Sequence, residues 1–275
     1  MAEVVQTINC AKCGAPLRIK KGEAVIVCEY CGTANSLRAD RFYIVAHSWM
    51  PNKLDKEDVI KRAREWMGGG MLGPSDLGRS EITKVELVYL PLWVFRTRNS
   101  TRYVGLFQRG EQKRIEGTEE RELFWKVLGR REAAFPVMAY HVPLAQKVPF
   151  AIEEAIEGIF LNGELDEEEA KALARQQIAE HMRRLASEKV DSFERCDTET
   201  RFMESEFLHV PIWFIEYRYR GRPYKLYIEG TGGEVVKGEV PPAEFAGREV
   251  KIIMAVAAFL VLLVACGAVA LVALR

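Results

Sequence analysis

Two cysteine pairs near the start of the chain limit its folding more than any other feature. Cys10-Ala-Lys-Cys13 and Cys28-Glu-Tyr-Cys31 are each followed by a glycine, Gly14 and Gly32, and fourteen residues separate the pairs. A CxxC turn aims two thiolates at one point. The glycine that follows permits the positive φ by which backbone N–H groups approach sulfur. Apolar runs over residues 17–20 and 24–27 predict two short strands joined at Lys21-Gly22-Glu23. Two knuckles on a hairpin make a ribbon, and four sulfurs suit tetrahedral Zn²⁺. The competing chemistry for such pairs is a redox dithiol. A core this small needs a metal to fold, so Cys10, Cys13, Cys28 and Cys31 are the expected zinc ligands of a domain over residues 1–37. Lys12, Arg18, Lys20 and Lys21 give the ribbon basic character of a kind that suits nucleic acid. A zinc ion with four thiolates carries a net double negative charge, however, and nearby lysines compensate it. A structural or protein-binding role is the simpler reading.

Residues 252–274 form the second constraint, 23 consecutive residues without a charge. At about 1.5 Å per residue a helix of that length covers roughly 34 Å, enough for the hydrocarbon core of a bilayer. The alternative is a buried core helix. The opening residues, MAEVVQTINC, lack the basic and apolar regions of a secretory signal. Arg248 and Lys251 precede the run and Arg275 follows it. This bias places residues 1–251 in the cytoplasm and residues 248–275 as a single-pass, tail-anchored membrane segment. A cytoplasmic setting in turn favours metal over disulfides for the paired cysteines.

Composition narrows the classes further. Lys+Arg and Asp+Glu are equal at 39 each in 275 residues, which argues against a protein that coats nucleic acid through bulk charge. With 48% apolar and 28% charged residues, wholesale disorder is excluded.

Periodicity between the two constraints predicts an α+β domain over residues 38–247. A strand is expected over 42–48. A helix follows from Asp55, with Val59, Ile60, Ala63, Trp66 and Met67 on one face and the glycines at 68–70 ending it. From Lys84 a long aromatic strand is expected, with a turn near 98–101 and a partner over 103–108. Residues 109–121 read as a charged loop or exposed hairpin, 135–142 as a strand, and 150–160 as a short helix. A long helix is expected over 166–187, its stripe Leu173, Ile178, Met182 and Leu185. Strands over 207–219, 224–229 and 234–237 complete the domain.

Two of these segments match. Leu90-Pro91-Leu92-Trp93-Val94-Phe95 aligns with Val210-Pro211-Ile212-Trp213-Phe214-Ile215 at an offset of 120, Arg98 with Arg218, and Tyr103 with Tyr224 after one inserted residue. This predicts a duplicated unit, over about 42–144 and 150–241, with buried tryptophans. A proline inside each strand suggests an edge or a bulge.

No catalytic constellation is visible. His47, His141, His181 and His209 are scattered without a metal spacing, and there is no phosphate loop or nucleophile elbow. The glycine-rich run at 230–233 reads as a hairpin turn. Cys196 reads as a core residue, and no enzyme activity or small-molecule substrate is expected.

The run over 211–241, PIWFIEYRYRGRPYKLYIEGTGGEVVKGEVP, together with the ribbon and the LPxW strand, resembles a prokaryotic family of uncharacterised zinc-ribbon membrane proteins. The resemblance covers the ribbon at 10–31, modules at 82–144 and 206–241, and the anchor at 252–274. The chain departs in having Glu229 where the family often has Asn, and in its single short anchor. Family members are often labelled by likeness to transcription-factor-B-type or replication-restart helicase ribbons; a helicase is excluded here because no Walker motif exists. The resemblance implies protein partners of the SPFH or phage-shock type, and hence a membrane-stress adaptor. A membrane-tethered nucleic-acid-binding regulator is the alternative.

Overall fold

Glu81–Phe107 and Ser192–Tyr219 each form one continuous strand, and they pair antiparallel along almost their whole length. The computed structural model describes residues 4–38, 41–69, 73–107, 112–131, 135, 140–150 and 157–242. Among these residues the order is β1 (Val4–Asn9), β2 (Pro16–Lys20), β3 (Val25–Val27), β4 (Ala34–Arg38), β5 (Arg41–Val45), β6 (His47–Trp49), α1 (Lys56–Gly69), β7 (Glu81–Phe107), β8 (Lys113–Leu128), β9 (Val148–Pro149), β10 (Ile159–Phe160), α2 (Glu167–Ala186), β11 (Ser192–Tyr219), β12 (Arg222–Glu229) and β13 (Val235–Gly238). The structure is mixed α+β and rich in sheet, with two α-helices among the described residues. β1 pairs with β2, β3–β4–β5 form a second small sheet, and the other strands form one large sheet.

Leu90 lies opposite Val210, and these are the residues that the repeat alignment equates. A local two-fold axis between them therefore relates the strands. The surroundings repeat about that axis. The Pro91 carbonyl accepts from the Gly129 N–H at 2.8 Å, and the Pro211 carbonyl from the Gly230 N–H at 2.8 Å. The Tyr89 carbonyl accepts from the Leu161 N–H at 3.2 Å, and the His209 carbonyl from the Met50 N–H at 2.8 Å. Short parallel strands, β10 and β6, flank β7 and β11 before each proline. The antiparallel partners β8 and β12 take over just after it, their last residues Leu128 and Glu229 lying opposite Leu92 and Ile212. Each proline thus stands where the outer neighbour changes, a place where a ladder can do without an N–H. This corrects the expectation of an edge or bulge: both strands are central.

The helices cross over. α1 precedes β7 in the chain but buries Val59, Ala63 and Met67 against Trp213, Ile215, Leu226 and Ile228 of β11 and β12. α2 precedes β11 but buries Ala170, Ala174, Ile178 and Met182 against Trp93, Phe95, Trp125 and Val127 of β7 and β8. Both tryptophans are buried. The Trp93 indole N–H donates to the Leu165 carbonyl at 3.0 Å, and that of Trp213 to Asn52 Oδ1 at 3.0 Å. Each acceptor lies just ahead of a helix. Asp166 caps α2 in a reciprocal box with Glu169, and Asp55 accepts from the Glu57 and Asp58 N–H groups ahead of α1. On the opposite face Val88, Leu90, Leu92, Val94, Leu208, Val210 and Ile212 pack with Met50, Phe135, Tyr140 and Val142.

Several expectations change. The chain does not turn at 98–101, because β7 runs straight through to Phe107. Thr97, Asn99 and Thr101 are buried there although polar, with bonds from Thr97 Oγ1 to the Leu123 carbonyl, from Asn99 to Thr97 Oγ1, and between Thr101 and Thr198. Residues 113–121, read as a loop or exposed hairpin, belong to β8. Tyr103 stays on β7 while Tyr224 lies on β12, so this part of the repeat alignment is not structural. The runs over 17–20 and 24–27 do not pair with each other but with β1 and β4. The strand expected over 42–48 is divided, β5 pairing with β4 and β6 with β11. Residues 135 and 140–142 are not in a strand, and Ile159–Phe160 is a strand rather than the end of a helix; residues 136–139 and 151–156 lie outside the described ones. Leu173 is exposed. The run over 252–274 also lies outside the described residues, among which no helix is long and apolar enough to cross a membrane.

Because each tryptophan fills the contact between a helix and a hairpin, Trp93→Ala and Trp213→Ala should each destabilise the fold by about 3–5 kcal/mol, from lost burial and the cavity left behind. Denaturant melting of the two variants against the parent measures this. A parent-like melting curve for either variant contradicts the packing described.

Candidate metal centre

Each cysteine pair occupies the turn of its own hairpin, Cys10–Cys13 between β1 and β2 and Cys28–Cys31 between β3 and β4. The two turns have the same backbone. The Gly14 N–H donates to the Cys10 carbonyl and the Gly32 N–H to the Cys28 carbonyl, both at 2.9 Å. The Cys10 N–H donates to Ala15 at 2.8 Å and the Cys28 N–H to Thr33 at 2.9 Å. Gly14 and Gly32 hold φ of 76° and 69°, in the region that favours glycine.

The four sulfurs converge. Cys10 Sγ lies 3.7 Å from Cys31 Sγ, Cys13 Sγ lies 3.7 Å from Cys28 Sγ, and all four lie within 4.8 Å of one another. Sulfurs about 2.3 Å from a central ion stand about 3.8 Å apart at the corners of a tetrahedron, whereas a disulfide needs about 2.05 Å. The cluster therefore fits a metal ion, and the four cysteines are free thiols.

A buried amide that the sequence did not reveal ties the two knuckles together. Asn35 Nδ2 donates to Cys10 Sγ at 3.6 Å and to the Thr33 carbonyl at 2.9 Å, while Asn35 Oδ1 accepts from the Ala11 N–H at 2.9 Å. Burial opposes ionisation of Cys10, but the N–H groups of Cys13 and Lys12 and the Asn35 amide outweigh it and bring the thiol to about 6. Burial pushes Cys28 up to about 12. Without a cation the four thiols do not share four charges; a cation at their centre reverses that balance.

The ribbon is fastened to the large sheet. β3 pairs its free edge with residues 162–163. The Ala24 and Val25 N–H groups donate to the Gly163 carbonyl, the Gly163 N–H returns to Val25, and the Val27 N–H donates to Asn162 Oδ1. Val25, Ala34 and Val45 join the cluster around Trp93. A Cβ on Gly32 would come within 2.5 Å of the Phe150 ring, so that glycine is also a close-packing residue. Phe150 stacks on His47 at 4.5 Å.

Two histidines that look unrelated in the chain meet here. His47 Nε2 lies 2.9 Å from His209 Nδ1, His47 Nδ1 lies 2.9 Å from the Gly32 carbonyl, and His209 Nε2 lies 2.9 Å from the Leu161 carbonyl. Burial draws His47 down to about 4 and His209 to about 3, leaving both neutral at neutral pH. Their separation of 162 residues hides them from any motif; the one available signal was a histidine two residues before the second PxW proline. Cys196 is half-buried on β11. The run at 230–233 is a hairpin turn whose preceding Glu229, itself buried, accepts from the N–H groups of Thr231, Gly232 and Glu234 at 2.9, 2.5 and 3.2 Å.

No known protein family, curated protein or solved structure matches the chain.

Because Asn35 holds a ligand sulfur and both knuckles, Asn35→Ala should weaken metal affinity about 10- to 100-fold while leaving four thiols in place. Competition with a chelating dye reads this. An unchanged affinity would show that the amide only fills space.

Proposed function

We propose that the chain is a membrane-anchored, zinc-ribbon adaptor facing the cytoplasm, without catalytic activity. The observation that carries the reading is the closed donor set. Four cysteine sulfurs satisfy a tetrahedral Zn²⁺ completely, and a catalytic zinc keeps one position for water or substrate. Four thiolates also select zinc among the common divalent ions by softness. Zinc supplies folding energy here, and Cys10, Cys13, Cys28 and Cys31 hold it.

The matching hydrogen bonds about Leu90 and Val210 support reading the large domain as a duplicated unit, a scaffold rather than a pocket. Residues 252–274 supply the anchor on this reading. The surface offered to partners is the ribbon's outer side, where Tyr30 stands 66% exposed at the tip of the second knuckle. Large exposed aromatics favour protein contacts, and scaffolds of the SPFH or phage-shock type are the partners that the family resemblance suggests.

A second reading, a membrane-tethered nucleic-acid-binding regulator, draws on the same knuckle. Tyr30 offers a ring for base stacking, with Lys12, Arg18, Lys20 and Lys21 exposed on the ribbon.

Three measurements test these statements. Elemental analysis should find about one zinc per chain, lost in the Cys10→Ser/Cys28→Ser variant. The full chain should remain with membranes through a high-salt wash, and deletion of residues 252–274 should release it; retention after deletion removes the single-anchor reading. Capture from native membranes should return a membrane scaffold with the parent and not with Tyr30→Ala. Retention of DNA or RNA that falls steeply with salt would select the second reading instead.

A further inference from the structure

The histidine pair contains a mismatch in proton number. Both ends of the chain from Gly32 through His47 and His209 to Leu161 are carbonyl oxygens, which only accept. Three contacts need three ring protons, and two neutral imidazoles carry two. Burial keeps the rings neutral. Glu206 of β11 is the charged group whose field reaches His47, and its carboxylate is already held by Lys147 and by Ser48 Oγ. The phenol of Tyr89, on β7, stacks on Phe160 beside His209, and burial raises it to about 12, so it stays uncharged. One contact therefore always lacks a proton.

Two arrangements make two bonds each without a repulsive contact. With both protons on Nδ1, His47 donates to Gly32 and His209 donates to His47. With both on Nε2, His47 donates to His209 and His209 donates to Leu161. Placing the protons on the two outer nitrogens sets two lone pairs face to face at 2.9 Å. We propose that His47 and His209 form a tautomeric latch: seating the Gly32 knuckle brings the arrangement with both ring protons on Nδ1 level with the one on Nε2, and unseating it shifts the pair toward Nε2.

Leu161 does not leave with the ribbon. Its N–H donates to Tyr89, and the N–H groups of Glu164 and Leu165 donate to Gly129, so the segment is bound to the large sheet on its own account. Seating adds a bond to the Nδ1 form alone, and one ordinary hydrogen bond shifts such a balance roughly fivefold. The state of the cysteine cluster is thereby written into the hydrogen bonding of a segment that leads, five residues on, into the Asp166 cap of α2. This inference rests on the reading that metal folds the ribbon.

The test is nitrogen–proton correlation NMR on the full chain, labelled with ¹⁵N-histidine, in detergent micelles at neutral pH. His141 and His181 serve as internal references. Gly32→Ala unseats the knuckle, by positive φ and by collision with Phe150, while keeping all four cysteines. The metal-loaded parent should show the His47 Nδ1 proton. In Gly32→Ala it should fall about fivefold, with the ring protons moving to Nε2. Chelation of the parent should give the same shift. Parent-like tautomers in Gly32→Ala, or three ring protons on the pair in the parent, overturn the latch. A shift in Gly32→Ala with none on chelation overturns instead the statement that metal seats the knuckle.

Discussion

Leu90 and Val210 face each other across the middle of the large sheet, and the register set by that pair decides where every other element can go. It places Trp93 and Trp213 on the same face but on opposite sides of the axis, each beside its own antiparallel hairpin partner. It leaves one outer position free on each long strand, before the proline, and β10 and β6 fill those positions in parallel. Each of these short strands then leads into a helix that covers the hairpin of the other half. The halves are therefore interlocked, and neither buries its tryptophan with its own helix. Such pairing joins residues far apart in sequence, so the loop-closure cost comes before most of the burial that offsets it.

The ribbon solves a different problem. Its two hairpins are short, and their shared cluster of Ile8, Leu17, Ile19, Ile26 and Leu37 is small. A metal at the four cysteines would provide one cross-link. The other comes from the large domain, which covers the free edge of β3 with residues 162–163 and takes Val25, Ala34 and Val45 into its own core. An uncovered β3 would be an exposed edge, a standing invitation to pair with another chain. The knuckles are thus held in a fixed orientation against the sheet.

The sequence showed what local chemistry controls. The cysteine knuckles, both helices and the two PxW strands are legible because spacing and periodicity act within a few residues. The outer half of β7, the whole of β8 and the first half of β11 were not. Their buried face carries Thr97, Asn99, Thr101 and Glu119, and their open face carries arginines and glutamates in cross-strand pairs such as Arg96–Glu122 and Arg114–Glu194. Polar residues on both faces erase the alternation that marks a strand. The prolines misled for a related reason: whether a missing N–H matters depends on which strand passes outside it, and that is a property of the sheet. Asn35 and His47 gave no signal, and His209 only its place two residues before the second PxW proline, since their roles exist only once distant segments meet.

A buried polar seam of this kind is poor stabilisation. One of the three contacts always lacks a proton, and a buried polar group left unpaired costs about 1–3 kcal/mol, so apolar side chains of similar shape would hold the ribbon more firmly. What the imidazoles add is equivalence. Either ring nitrogen donates, so the missing bond can sit at the Gly32 end or the Leu161 end at nearly equal energy. A glutamine or an aliphatic side chain at 47 or 209 has no such pair of states. The aromatic rings of Phe150, Phe160 and Phe207 pack around the pair. Apolar walls and a polar deficit are thus parts of one arrangement, in which the fit of the ribbon against Phe150 sets the balance between the two states.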